Sequence, residues 1–317
     1  MKPSRPGLAC LGLATLSLST MELVAKTIAY SLHPLQINLW RFAIGSLVLL
    51  PLALLEIRRR GITLRFDDFR YFAGLGVLCI VLSNSLFQAS LMYSPASTVA
   101  VVFCANPVFT VPFAFLFLGE KISRTTILAL VLGLAGVFVI MRPFSAPAGS
   151  LKGVLLVLAS AIVWSLFTVL GKKGIDRYGG IVQNCFTFIT GSLALLLLFP
   201  LFRAPLAAGI TPASLWPLLY LGIVGSGLGF FFYFQGMRLT SASMGSVVFF
   251  VKPALAALLA WLLLGEQIGV HLLLGIVLIV AGSVCMYLRP AGLSSPGRLE
   301  AGARIPGQSD ESIVQEP

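Results

Sequence analysis

The chain has 317 residues, of which 58% are hydrophobic and only 10% charged, and its mean hydropathy is +0.98. A water-soluble chain carries about a quarter charged residues, so this one cannot cover an aqueous surface and is expected in lipid. The formal net charge of +11 does not point to nucleic acid: the basic residues sit in short loops between apolar runs, with no aromatic-basic interleave.

A membrane-spanning helix needs about 20 mainly apolar residues. Ten stretches qualify: 7–30, 36–56, 71–92, 95–118, 124–141, 151–171, 179–201, 214–237, 240–264 and 270–288. Lys2 and Arg5 precede the first like the start of a signal peptide. Its length, Glu22, Lys26 and the lack of a small-residue cleavage site predict instead a retained span. Residues 289–317 turn polar and rich in Gly, Ser and Pro, which predicts a disordered cytoplasmic tail. The five cysteines lie scattered in apolar runs and read as packing thiols, with neither metal spacing nor a disulfide framework.

With the N-terminus placed in the cytoplasm, sixteen of the 22 Lys and Arg residues fall inside. Five fall outside (Lys26, Arg41, Arg142, Lys152 and Arg203), and Lys252 lies within a span. This bias predicts that both termini are cytoplasmic.

The chain also repeats itself at an offset of 146 residues, the separation of Glu120 from Glu266. Lys26 returns as Lys172, Asn38 as Asn184, Gly45-Ser46-Leu47 as Gly191-Ser192-Leu193, and Gly76 as Gly222. Ala96-Ser97 returns as Ala242-Ser243, Pro107 as Pro253, Gly119-Glu120 as Gly265-Glu266, and Gly136 as Gly282. Residues 7–141 and 151–288 are therefore read as two five-helix repeats. Five is odd, so the second copy enters the membrane from the opposite side. The expected fold is an all-α integral membrane protein of ten transmembrane helices in two inverted five-helix repeats, with a site near the midplane between them.

The stretch VVFCANPVFTVPFAFLFLGEKISRTTILALVLGLAGVFVI and its twin VVFFVKPALAALLAWLLLGEQIGVHLLLGIVLIVAGSVCMY resemble the fourth and fifth spans of the EamA module. That module defines the drug/metabolite transporter superfamily. The shared elements are a Pro inside the fourth span, a Gly-Glu at its end and a Gly-containing fifth span, and the resemblance covers roughly residues 7–288. It implies a central cavity open to one side at a time and export of a small metabolite, amino acid or drug across a bacterial inner (plasma) membrane. Two positions depart from the pattern: Asn106 and Lys252 precede the prolines where apolar residues are common, and Glu22 has Thr168 as its counterpart.

Intramembrane ionisable residues are costly and face a bundle interior. Lys252, near the middle of its span, and Glu22, at similar depth in the first, are expected to meet across the cavity, where substrate or protons compete with their pairing. The bland alternative for Glu22 is a local pair with Lys26 one turn away. Asn84, Gln88 and Asn106 join the polar cluster or serve as interhelical glue. Trp164, Tyr233 and Gln235, with Phe230 to Phe232, line the cavity or pack. Pro107 and Pro253 are read as hinges, Gly133, Gly136 and the Gly222-to-Gly229 run as packing seams, and Glu120 and Glu266 as capping or pinning the following helix end.

No Walker A loop, Ser/His/Asp set or metal spacing appears, and His33 and His271 stand at span ends. No cofactor and no metal are expected. The energy source is the substrate gradient or protons. The expected partners are a small-molecule substrate and the bilayer, and one copy suffices to hold both repeats. The competing readings are an integral-membrane enzyme, which would need a convergent acid/base or metal set, and a non-transporting scaffold.

Overall fold

In the computed structural model the described residues are 5–119, 124–141, 148–239 and 247–287. Among them the regular structure is entirely helical. Seven helical stretches are long and apolar enough to cross a membrane. These are α1 (Arg5–Ile28), α2 (Pro34–Arg60), α3 (Phe66–Ser90), α4 (Ala96–Phe117), α6 (Leu151–Ile175), α7 (Gly180–Phe202) and α8 (Pro212–Gly236). Three further helices complete the order: α5 (Arg124–Met141), α9 (Val247–Leu264) and α10 (Val270–Tyr287). Residues 289–317, Glu120 and the predicted start of the ninth span at 240–246 lie outside the described residues.

Local chemistry sets several ends. His33 caps α2, its Nδ1 accepting from Leu35 N–H, with Pro34 pre-set for the first turn. Gly119 and Gly265 end α4 and α9 in the left-handed region, at φ 66° and 64°. A side chain is strained there, which accounts for the glycine of both Gly-Glu pairs. Lys26, on the last turn of α1, donates to the Leu91 and Ser94 carbonyls after α3, where a cation complements a helix C-terminus. It does not pair with Glu22.

Packing repeats at the sequence offset. α2 lies on α8 as α7 lies on α3, α1 lies on α8 as α6 lies on α3, and α1 lies on α9 as α6 lies on α4. α5 with α10, α4 with α9, and α2 with α7 are pairs of equivalents. The glycines explain how two seams come so close. A Cβ at Gly76 would lie 2.6 Å from Gly191 Cα, and one at Gly45 would lie 3.3 Å from the Gly222 carbonyl. A shift of 146 turns Gly45 into Gly191 and Gly76 into Gly222, so these are one crossing made twice. The backbone repeats too: α3 widens into a π-helix over Val77–Asn84, and α8 does so over Leu221–Leu228. Such widened turns cluster at functional places.

The outer surface is apolar, with Leu197 and Leu201 80% and 74% exposed on α7 and Trp216 73% exposed on α8. The interior holds Glu22, Arg41 and Lys252 among its apolar residues. This inversion of the soluble pattern is what a lipid solvent selects.

The twin prolines differ. Around Pro107, α4 breaks: the helix Ala96–Phe103 ends, residues 104–106 form a turn with Asn106 N–H on the Phe103 carbonyl, and Pro107 starts a new helix. At position 253, α9 runs through without a break. Proline is well placed at the first position of a helix, where its missing N–H is no loss. The two positions therefore differ in backbone: α4 is discontinuous there and α9 is continuous.

Candidate functional site

Glu22 and Lys252 meet. Lys252 Nζ lies 2.7 Å from Glu22 Oε1, and the residues are 7% and 1% exposed. The pair joins α1 to α9. At that spacing the attraction is about 6 kcal/mol at an effective dielectric of about 20, and the desolvation of two ions opposes it. The Lys252 ammonium also stands 5.6 Å from the Phe103 ring centroid, at the last residue of the first half of α4. Phe103 in turn meets Phe87 at 5.1 Å and Trp164 at 5.6 Å, and Trp164 meets Phe167 at 5.1 Å. An aromatic row drawn from α3, α4 and α6 therefore begins at the ion pair.

A third charge belongs here. Arg41 is 3% exposed, two turns inside α2. Its Nη2 donates to Asn84 Oδ1 at 2.9 Å and its Nε to Ser226 Oγ at 3.0 Å. Asn84 closes the π-helix of α3, and Ser226 lies in the π-helix of α8. Arg41 thus ties the two widened turns together, and its charge acts on both Glu22 and Lys252. Arg41 is therefore an interior residue of its span and not an outer flanking one. The predicted span 36–56 already contained it, and a cation inside a span carries the same signal as Lys252.

The other expected site residues fall around this centre. Asn84 is a strut: its Nδ2 donates to the Cys79 carbonyl at 2.8 Å, filling the widened turn, while its oxygen holds Arg41. Gln88, one turn on, is 1% exposed, and neither amide atom has a partner among the described residues. Asn106 is buried in the α4 break, where its main-chain carbonyl accepts from Ser165 and Thr110 hydroxyls at 2.8 and 3.0 Å. Tyr233 and Gln235 are half-buried on α8, about two turns and more beyond Ser226. Tyr233 packs edge-on with Phe234 at 5.4 Å.

Glu266 caps a helix, but not the one that follows it. Its carboxylate accepts from Ala96 N–H at 2.8 Å, Ser97 N–H at 3.1 Å and Ser97 Oγ at 2.6 Å. It caps the first half of α4 from the other half of the chain, satisfying two orphan donors at a helix N-terminus.

An apolar exterior, apolar helices of membrane length and three charges held inside define a multi-pass integral membrane protein with a charged interior. Residues 5–142 and 151–288 each match the model of the EamA-like transporter family, and the chain belongs to that family, within the drug/metabolite transporter superfamily. It is 41% identical over 276 residues to an uncharacterized transporter of Clostridium kluyveri, covering 85% of this chain and 89% of that one. It is 25% identical over 255 residues to the uncharacterized transporter YoaV of Bacillus subtilis, covering 80% and 87%. A solved crystal structure shares the fold at a TM-score of 0.61 and 21% identity, over 88% of this chain and 96% of that one.

Proposed function

We propose that this protein is a secondary transporter that exports a small metabolite, amino acid or drug across a bacterial inner membrane by alternating access. In this reading ten spans form two inverted five-helix repeats with both termini in the cytoplasm, and the discontinuous α4 flexes at Pro107 as the halves rock. The observation that carries it is the Glu22–Lys252 pair, which joins the two family-matched halves in the interior of an apolar bundle. A buried pair is weak evidence for stability, but a pair joining two bodies that separate is a contact that substrate or protons can replace. The duplicated glycine crossings support the repeat symmetry. Energy comes from the substrate gradient or from protons, with the pair as the point of coupling.

Proteoliposomes loaded with a bacterial metabolite extract test this. Saturable loss of one or a few solutes, recovered chemically unchanged outside and abolished in Lys252→Met, is the expected result. Conversion of a solute without movement would make the protein an enzyme instead.

A further inference from the structure

Arg41 is held but not used up. Ser226 and Asn84 take its Nε and Nη2, and the Phe42 ring covers its face at 4.4 Å from Cζ. Nη1 is buried with no partner among the described residues. A buried guanidinium nitrogen without an acceptor is expensive, and here it is fixed in position by bonds from two helices. Gln88, one turn beyond Asn84, offers a second open donor, Nε2. Gln88 Oε1 and Glu22 Oε2 are likewise buried with no partner among the described residues.

The charges do not balance. Of the four buried charged residues described, Glu22, Arg41 and Lys252 act on one another in the interior. The fourth, Asp68, is engaged on the first turn of α3 by Arg177 and Tyr178. Two cations therefore face one anion. A cationic solute would enlarge that surplus, a zwitterion would leave it, and a monoanion would cancel it. A carboxylate is an anion that the remaining guanidinium N–H can bind by a charge-assisted hydrogen bond. Phe87, Phe103 and Trp164 form an apolar row that begins at the Lys252 ammonium.

We propose that the transported molecule is a small amphipathic monocarboxylate, its carboxylate taken by Arg41 Nη1 with the Gln88 amide beside it, its apolar body against Phe87, Phe103 and Trp164. This deepens the transporter reading and rests on it for the statement that the molecule is carried, while the anion site stands on the open donors alone. It also selects an anion over the zwitterion that the Glu22–Lys252 pair by itself would suit.

Four probes of nearly one shape separate the charges: 4-methylpentanoate (anion), leucine (zwitterion), isoamylamine (cation) and isoamyl alcohol (neutral). Thermal unfolding and equilibrium binding are measured on the purified full chain in detergent, and flux is measured in proteoliposomes. The anion should raise the unfolding temperature and the other three should not, and Arg41→Gln should weaken its binding at least tenfold. Arg41→Lys, which keeps the charge but loses the planar fork, should weaken it less. It serves if the Gln variant does not fold, and the wild-type series decides the matter without either. If the amine, alcohol or leucine stabilises as well as the anion, or the anion not at all, the monocarboxylate site is wrong. Saturable leucine flux without anion binding would overturn this inference and leave the transporter standing. Anion binding without flux of any solute would do the reverse.

Discussion

Substitution of Lys252 by Met leaves the Glu22 carboxylate, 1% exposed, without the ammonium that stood 2.7 Å away. Removing one partner of a buried pair costs about 3–5 kcal/mol, because the survivor keeps its desolvation penalty. The structure predicts that the two single variants are unequal. After Lys252→Met the carboxylate still feels Arg41, so the loss should fall near the lower figure. After Glu22→Gln, Lys252 and Arg41 are two buried cations with no anion between them, and the loss should reach the upper figure. The double variant removes one charge of each sign and should recover at least 2 kcal/mol of the summed single losses. Unfolding by a denaturing detergent in mixed micelles, followed by far-ultraviolet circular dichroism, measures all four corners of the cycle. Coupling below about 0.5 kcal/mol, the value for solvent-exposed pairs, would refute the claim that these charges meet in a dry interior. Flux from the same proteins separates role from stability: if Lys252→Met transports at the wild-type rate, the lysine is structural at most.

Other outcomes follow from the seams and caps. Glu266→Gln should destabilise by about 1–3 kcal/mol through its bonds to Ala96 and Ser97, measured by the same unfolding assay, with Ser97→Ala giving a smaller loss. Gly76→Ala places a methyl 2.6 Å from Gly191 Cα and should cost about 1–3 kcal/mol, whereas Gly74→Ala, with open space at its Cβ, should be close to neutral. Single cysteines placed within 58–70 and within 142–152, in a background lacking native cysteine, should react with impermeant maleimide from opposite sides of the membrane. Labelling from the same side would end the inverted arrangement.

The parts that sequence reasoning reached were those where lipid narrows the choices. A charge inside an apolar run has few places to go, which is why Glu22 and Lys252 could be paired before any coordinates. The same rule applied to Arg41 and went unused, because basic residues near span ends are ordinarily topological anchors. The partner of Glu266 was out of reach: a cap formed 170 residues away in sequence leaves no local pattern. The π-helices have no composition signal either, since Val77–Asn84 reads as an ordinary apolar helix and Leu221–Leu228 as a glycine-rich one. Asn84 shows why: in the widened turn its side-chain amide donates to the Cys79 carbonyl while its oxygen accepts from Arg41, a residue 43 positions away. Matching prolines do not give matching backbone: α9 runs on at position 253, and α4 breaks at Pro107, where Ser165 and Thr110 hydroxyls take the Asn106 carbonyl.

Under the offset of 146, Glu22, Arg41 and Lys252 answer to Thr168, Thr187 and Asn106, none of them ionisable. A homodimer of identical halves could not arrange this, since any charge written once would appear twice at the common axis. Two copies of a half bearing all three would bury six charges in place of three, and at roughly 2.5–3.5 kcal/mol apiece insertion would be harder by roughly 8–10 kcal/mol. Joined in one chain, the two halves differ at those three positions while their glycine crossings are alike. The chain therefore pairs a scaffold that repeats with a charged centre that does not.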